Sequence, residues 1–310
     1  MKTVSVGVDV DSLHHYYRIH GLDDASASNA AWTVGVPRFL ELFAELGVPA
    51  TFYCVAEDLD LEENRQWLQA MVAAGHEIGN HSWRHPYDLT RLDAETRKAE
   101  VAEGRRRLEE AAGVLVTGFR SPGYNTTPEL ALDVRATGHR YDSSVFPCVP
   151  YYSAKAAVMG LMALRGRRSR SVLGDPKVLL SPRVPYVMHP EEPHRRGVGG
   201  LVQCPISVFG GVPLIGTAFT AMGRMSDAVV AAADVGGPEH LTLEFHAVDL
   251  LGLRDDGLDP ALAVQPDLKV SVRKKRNLFY RVLKSLKRRR QYQRLDMLAE
   301  GWAWSVGDVS

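Results

Sequence analysis

Six side chains in this sequence have types and spacings suited to hydrolytic chemistry. Asp9 and Asp11 flank Val10, and His81 and His85 lie four apart in His81-Ser82-Trp83-Arg84-His85. Arg120 opens the run Arg120-Ser121-Pro122-Gly123-Tyr124, and His246 closes Glu244-Phe245-His246. A carboxylate with two imidazoles is a common three-ligand set for a divalent metal, leaving one position open for water. Each motif alone has an ordinary explanation. A strand-terminal Asp caps a turn, and two His in five positions arise readily in a chain with eleven. An Arg before Ser-Pro-Gly pairs at the surface, and a His on an apolar strand sits satisfied in a core. Their shared placement at the ends of predicted strands is what points to a site.

That placement is read from the hydropathy pattern. Residues 3–11 alternate, with Val4, Val6, Val8 and Val10 on one face and Ser5, Gly7, Asp9 and Asp11 on the other. A strand persisting to Asp11 projects both carboxylates the same way. A helix follows with Val36, Phe39, Leu40, Phe43 and Leu46 in one stripe and Gly47 as its stop. Further strands are predicted over 48–55, 76–80, 114–119, 140–145, 201–208 and 241–247. Helices are predicted over about 62–74, with Trp67, Leu68, Met71 and Val72 inward, and over 93–112. Two more start at Thr127-Pro128-Glu129 and at a Ser226 cap. The alternation argues for a parallel sheet with barrel-like closure, whose strand ends converge on one mouth. Residues 147–200, rich in Pro, Gly and Arg, interrupt it as an inserted loop or lid. The expected division is a barrel over 1–272 and a basic helix and tail over 273–310.

The 310 residues carry 37 Lys and Arg against 37 Asp and Glu, but the balance is segregated. Eleven bases and no acids fall between Arg273 and Arg294, leaving 26 bases to face 37 acids elsewhere. Leu278, Val282, Leu283 and Leu286 give this segment a helical stripe, and with Phe279 they suit an anionic membrane surface. The bland alternative is a solvated helix face that neutralises the protein's own acidic body. Nucleic-acid binding is not expected, because aromatic interleaving is confined to Phe279, Tyr280 and Tyr292. Three scattered cysteines, Cys54, Cys148 and Cys204, suggest neither a disulfide framework nor a thiolate metal site. The start of the chain runs straight into a strand pattern, and its longest apolar run is too short to span a bilayer. A cytoplasmic location, peripheral to the inner membrane face, is the expectation.

Taken in order, the motifs resemble those of the polysaccharide deacetylase (NodB homology) family of carbohydrate esterases. His81-Ser82-x-x-His85 is the most diagnostic element, with an Asp-x-Asp pair about 70 residues upstream; the match extends over about residues 3–250. The resemblance implies a distorted (β/α) barrel and a metal-dependent hydrolase that removes an acetyl or formyl group from an amino sugar. It implies Asp11, His81 and His85 as ligands of a divalent metal, zinc first, with cobalt, manganese or iron as alternatives. It implies Asp9 as the base toward the attacking water, Arg120 as its positive neighbour, and His246 as the acid toward the leaving amine. A backbone N–H near Gly123 or Tyr124 would hold the oxyanion. There are departures from the family pattern. Val10 separates aspartates that are more often adjacent, and Gly123 stands where an aromatic is usual. No Asp-Trp pair is evident to orient His246, so Glu244 or Asp249 would serve. His14 and His15 lie close enough in sequence to compete as ligands or to contact substrate.

The absence of a leader pattern favours an N-acylated amino sugar on a lipid carrier or nucleotide over an exported polymer, with the apolar stretch 151–164 covering a lipid tail. Two rivals are kept. One is a metal-dependent amidohydrolase acting on a non-carbohydrate amide. The other is a catalytically silent barrel serving as a membrane or partner adaptor.

Overall fold

The computed structural model describes residues 2–24, 27–164 and 172–307. Strand β1 (Thr3–Val10) stops one residue before Asp11 and is buried on both faces from Val4 onward. Its alternation therefore does not separate core from solvent, as expected for a parallel strand covered on both sides. Helix α1 (Leu13–His20) ends on Gly21. Helix α2 (Val36–Leu46) ends on Gly47, whose φ of 58° is the left-handed value a helix stop needs. Leu42 rather than Leu40 completes its buried stripe. Strand β2 (Thr51–Cys54) is shorter than its apolar run. Helix α3 (Glu62–Ala73) buries Asn64, Leu68 and Met71, with Trp67 and Val72 half-buried. Strand β3 is Glu77–Asn80.

Helix α4 (Ala94–Ala112) starts where Asp93 accepts the Thr96 N–H. The strand predicted over 114–119 shrinks to β4 (Gly118–Phe119), since Val114 and Leu115 are exposed. Helix α5 (Pro128–Ala136) is capped by Thr127 through the Leu130 N–H, as its sequence indicates. Strand β5 keeps only Tyr141–Asp142 of the predicted six residues. The predicted insertion is not all loop: it holds helix α6 (Val149–Leu164) and strand β6 (Tyr186–Val187). The run 201–208 splits into β7 (Val202–Gln203) and β8 (Val208–Phe209), the latter pairing with β9 (Val212–Pro213). Helices α7 (Gly216–Met222) and α8 (Met225–Gly236) follow. Ser226 is no cap: it lies inside α8 and donates its hydroxyl to the Phe219 carbonyl. Strand β10 (His240–His246), helix α9 (Val272–Leu286), strand β11 (Gln291–Tyr292) and helix α10 (Leu295–Gly307) complete the chain.

Two compact units divide these elements. The first comprises Met1–Cys54, Asp58–Ile78 and Leu214–Arg294. Within it β1 lies parallel to β2 on one side and β10 on the other, and Asp9 stands in register with Tyr53 and His246. The second comprises Val55–Glu57, Gly79–Pro213 and Leu295–Ser310. Within it Asn80, ending β3, pairs with Phe119 of β4, and β5 and β7 continue in parallel. Antiparallel β6 sits on β7. Phe119, Val101, Leu130, Val134, Tyr186 and Leu201 pack as one cluster of this unit.

The basic segment belongs to the packing of the first unit. Leu278, Phe279, Val282, Leu283 and Leu286 are buried, and the Phe279 ring lies 4.9 Å from that of Phe245 on β10. The apolar stripe read as membrane-suited is thus core. Several of its cations hold neighbours in the same unit: Arg276 pairs with Glu45 at 2.7 Å and Arg281 with Asp227 at 3.2 Å. Arg290, fully buried at its side chain, binds Asp234 at 3.1 Å. The membrane expectation loses its structural basis, and the self-neutralising alternative accounts for these contacts. Among the described residues no helix is long and apolar enough to cross a membrane.

Candidate active site

In the first unit, β1 and β10 bring three of the sequence-selected residues together. Asp9 is buried at the end of β1, and its parallel neighbour there is His246. Asp9, Glu244 and His246 place one donor atom each within 4.8 Å of one another. His246 Nδ1 lies 2.9 Å from Glu244 Oε1, and its Nε2 lies 3.9 Å from Asp11 Oδ2. The imidazole is therefore held at one nitrogen by Glu244 and turned with the other toward the β1 carboxylates. Burial works against its charge, but Glu244, Asp11 and Asp9 together raise its pKa well above the ordinary histidine value.

The two acids considered for orienting His246 divide the work. Glu244 contacts the ring, two residues back on the same strand face. Asp249 instead accepts the His246 backbone N–H at 2.9 Å from the turn after β10. Burial holds the Asp249 carboxyl well above the usual carboxylate range, with the neighbouring Asp267 and Glu244 adding to the rise and His246 opposing it. Gly216 makes room for it: a Cβ there would meet Asp249 Oδ2 at 2.0 Å. His14 and His15 do not join this group; they gather with Asp58, again with donor atoms within 4.8 Å. Asp58 is already engaged by the Trp32 indole N–H at 2.9 Å.

In the second unit, the turn after β3 carries His81 and His85, both buried, with ring centroids 4.8 Å apart. His81 Nδ1 lies 2.7 Å from the Arg120 carbonyl. A carbonyl can only accept, so Nδ1 carries the proton and Nε2 keeps its lone pair, the arrangement of a metal-ligating histidine. The turn is built from unusual backbone: Ser82 and His85 have φ of 67° and 56°. Such values cost energy in non-glycine residues and persist where surroundings impose them. Here the imposition is visible. The Ser82 hydroxyl accepts the His85 N–H, and the Ser82 and Trp83 carbonyls accept the N–H groups of Ala56 and Glu57. Trp83 N–H donates to the Glu100 carbonyl and Arg84 N–H to the Glu100 carboxylate, tying the turn to α4.

Arg120 is completely buried at the end of β4. Its Nε donates to the Ser143 carbonyl at 3.0 Å and its Nη2 to the Ser143 hydroxyl at 2.9 Å. The next residue, Ser121, donates its N–H to the Ser144 hydroxyl, which in turn donates to buried Asp142. Asp142-Ser143-Ser144, which belongs to none of the sequence motifs, is the scaffold of the arginine motif. Its only sequence signal is a polar triplet at a strand end. The turn beyond it is also strained, with Tyr124 at φ 61° following Gly123 at φ 68°. The Tyr124 N–H already donates to the Ser121 carbonyl at 3.0 Å. The Tyr124 ring instead faces Phe146 and Tyr151 edge-on, at centroid distances of 5.7 and 6.1 Å.

Residues 22–141 match the family model of polysaccharide deacetylase, the family whose motif order the sequence resembles. It is 29% identical over 158 residues to a peptidoglycan deacetylase of Helicobacter pylori, which covers 48% of this chain and 52% of that protein. It is 32% identical over 114 residues to a chitooligosaccharide deacetylase of Rhizobium leguminosarum, covering 36% and 48%. The chain thus spans about half the length of these curated relatives. Among solved structures, a Mycobacterium smegmatis protein assigned to the polysaccharide deacetylases superposes with a TM-score of 0.60 at 20% identity, covering 98% of this chain and 91% of that one. The PuuE allantoinase superposes with a TM-score of 0.57 at 18% identity, covering 97% and 89%. The fold class is the α/β, distorted (β/α)-barrel type expected from the sequence. Proteins so named share that fold while differing in substrate, so the substrate must be argued from the site.

Proposed function

We propose that this chain hydrolyses the N-acyl bond of an acylated amino sugar, acetyl or formyl, in a glycan or a lipid-linked glycan precursor. One observation carries the proposal: His246 is held by Glu244 at 2.9 Å and turned toward the carboxylates of Asp9 and Asp11. That gives an acid charged by its neighbours beside two groups able to act as base and ligand. The names of the relatives, peptidoglycan and chitooligosaccharide deacetylases, supply the substrate class.

Asp11, His81 and His85 would hold a divalent metal, zinc first. The donor set suits it: two imidazoles, one with its proton fixed on Nδ1 by a carbonyl, and a carboxylate. When bound, such an ion polarises the acyl carbonyl and makes water a stronger acid. The chain's own residues do the rest. Asp9 takes a proton as the water oxygen bonds to the acyl carbon, the base role its motif carries by resemblance. His246 gives its proton to the sugar nitrogen as the C–N bond breaks, releasing a free amine and a carboxylate product. The Tyr124 N–H being engaged, the Gly123 N–H takes the oxyanion role.

The test combines metal analysis of the purified chain with product detection on acetylated peptidoglycan, chitooligosaccharide and a formylated amino sugar on a carrier lipid. Release of acetate or formate that a chelator stops and zinc restores supports the proposal. Turnover of none of these, or turnover indifferent to a chelator and to Asp11→Ala, rejects it.

A further inference from the structure

In the second unit, helix α6 of the inserted segment sets a lysine beside the turn that follows Arg120. Lys155 Nζ donates to the Gly123 carbonyl at 3.1 Å and lies 5.9 Å from the Tyr151 ring centroid. Tyr124, Phe146 and Tyr151 line the same cleft as a mutually packed aromatic group, Phe146 and Tyr151 at 4.8 Å. Among the described residues the ammonium has this single hydrogen bond and no ion pair, although it carries three donors. Burial lowers its pKa to about 8, and no carboxylate opposes the fall. The one acid lining the same cleft, Asp175, accepts the Lys177 N–H at 2.9 Å as the cap of a short turn. A partly desolvated cation without a counter-charge is unfavourable by itself, and an incoming anion would relieve that cost. The cleft itself has a free volume of only about 20 Å³. An adjoining cavity of about 390 Å³, lined also by Lys177, Glu191, Glu192 and Arg195, shares Thr126, Asp175 and His194 with it and offers room for a sugar.

We propose that the cleft formed by Tyr124, Phe146, Tyr151 and Lys155 is a specificity subsite for a negatively charged substituent of a sugar seated in the adjoining cavity, with the Lys155 ammonium as its counter-charge. The proposal rests on the amino-sugar reading above and deepens it: the preferred substrate is an anionic acylated sugar rather than a neutral one. A phosphate ester and a carboxylate share the required chemistry.

The experiment compares N-acetylglucosamine, N-acetylglucosamine 1-phosphate and N-acetylmuramic acid, in turnover and in calorimetric binding, for the full chain and for Lys155→Met and Lys155→Arg. The wild-type chain is expected to favour at least one anionic sugar over the neutral one in kcat/KM, through KM rather than kcat. Loss of a charge-assisted hydrogen bond should shrink that ratio about 10- to 100-fold in Lys155→Met, with partial recovery in Lys155→Arg. The two anionic arms distinguish phosphate from carboxylate. A wild-type ratio near one, or an unchanged ratio in a Lys155→Met variant of native thermal stability, overturns the subsite. If no sugar is turned over, the binding constants still decide it: a charge preference lost in Lys155→Met keeps the subsite while the deacetylase reading fails.

Discussion

Gly104→Ala is the most discriminating perturbation of the histidine turn. Gly104 lies in α4 with its Cα against that turn: an added Cβ would sit 2.5 Å from Asn80 Oδ1, 2.8 Å from the Ser82 carbonyl carbon and 3.0 Å from Trp83 N. Ordinary contact begins at 3.4 Å, so the Ser82 backbone must retreat, by about 0.6 Å if it is to reach ordinary contact. Little can yield. Asn80 is pinned through its Nδ2 to the Val101 carbonyl at 2.9 Å, and the other two atoms are backbone. Overpacking of this kind costs about 1–3 kcal/mol, against which alanine's helix propensity returns about 1 kcal/mol. The net loss of stability is then about 0–2 kcal/mol. The effect on chemistry is larger, because the displaced backbone carries both imidazoles. A misplacement of about 1 Å can cost 10²-fold in rate, so a 10- to 100-fold fall in kcat/KM is expected. Urea unfolding and acetate release, measured on the same preparation, separate the two effects. Gly160→Ala serves as control, since a Cβ there meets nothing within 4 Å. A Gly104→Ala variant with wild-type rate and metal content would refute the argument that this close approach positions the turn.

Three further outcomes follow from the packing and electrostatics. Glu244→Ala removes the partner of His246 Nδ1 and should lower kcat about 10²-fold with little change in KM; unchanged kcat in a steady-state assay would exclude Glu244 as its positioning residue. Burial depresses His76 to a pKa of about 4, and His139 and His240 to about 3, so each is neutral when folded. Their contribution is complete above about pH 6.5 and is withdrawn as pH falls toward 4 and 3, because the unfolded chain binds those protons first. At pH 5 each imidazole has withdrawn about 2 kcal/mol, so the thermal midpoint should drop steeply between pH 6.5 and 5; a flat profile there contradicts it. Leu283→Ala should cost about 2–5 kcal/mol in urea unfolding, because Leu283 is core; negligible cost would reopen a surface role for α9.

Local residue patterns suffice to place the reactive groups along the chain. β-Branched alternation placed Asp9 at the end of a strand, glycines stopped α2 at Gly47, and Thr127-Pro128 started α5. These are local effects, fixed by side-chain periodicity and by backbone conformations that few residues tolerate. Strand lengths were less legible. Val114 and Leu115 match a strand in propensity but find no partner surface, so β4 keeps two residues. The basic stripe shows the same limit. Its charge was plain from composition, but whether Leu278, Phe279, Val282 and Leu283 face lipid or core depends on what α9 packs against.

Which of two acids touches His246 depends on long-range packing, which gives the ring to Glu244 and the backbone N–H to Asp249. It also revealed Ser143 as the holder of Arg120 and Lys155 as a cation beside Gly123. Those pairings join residues 23 and 32 positions apart, and no local propensity encodes them. They exist because burying a charged group is tolerable only where the folded chain supplies its partners.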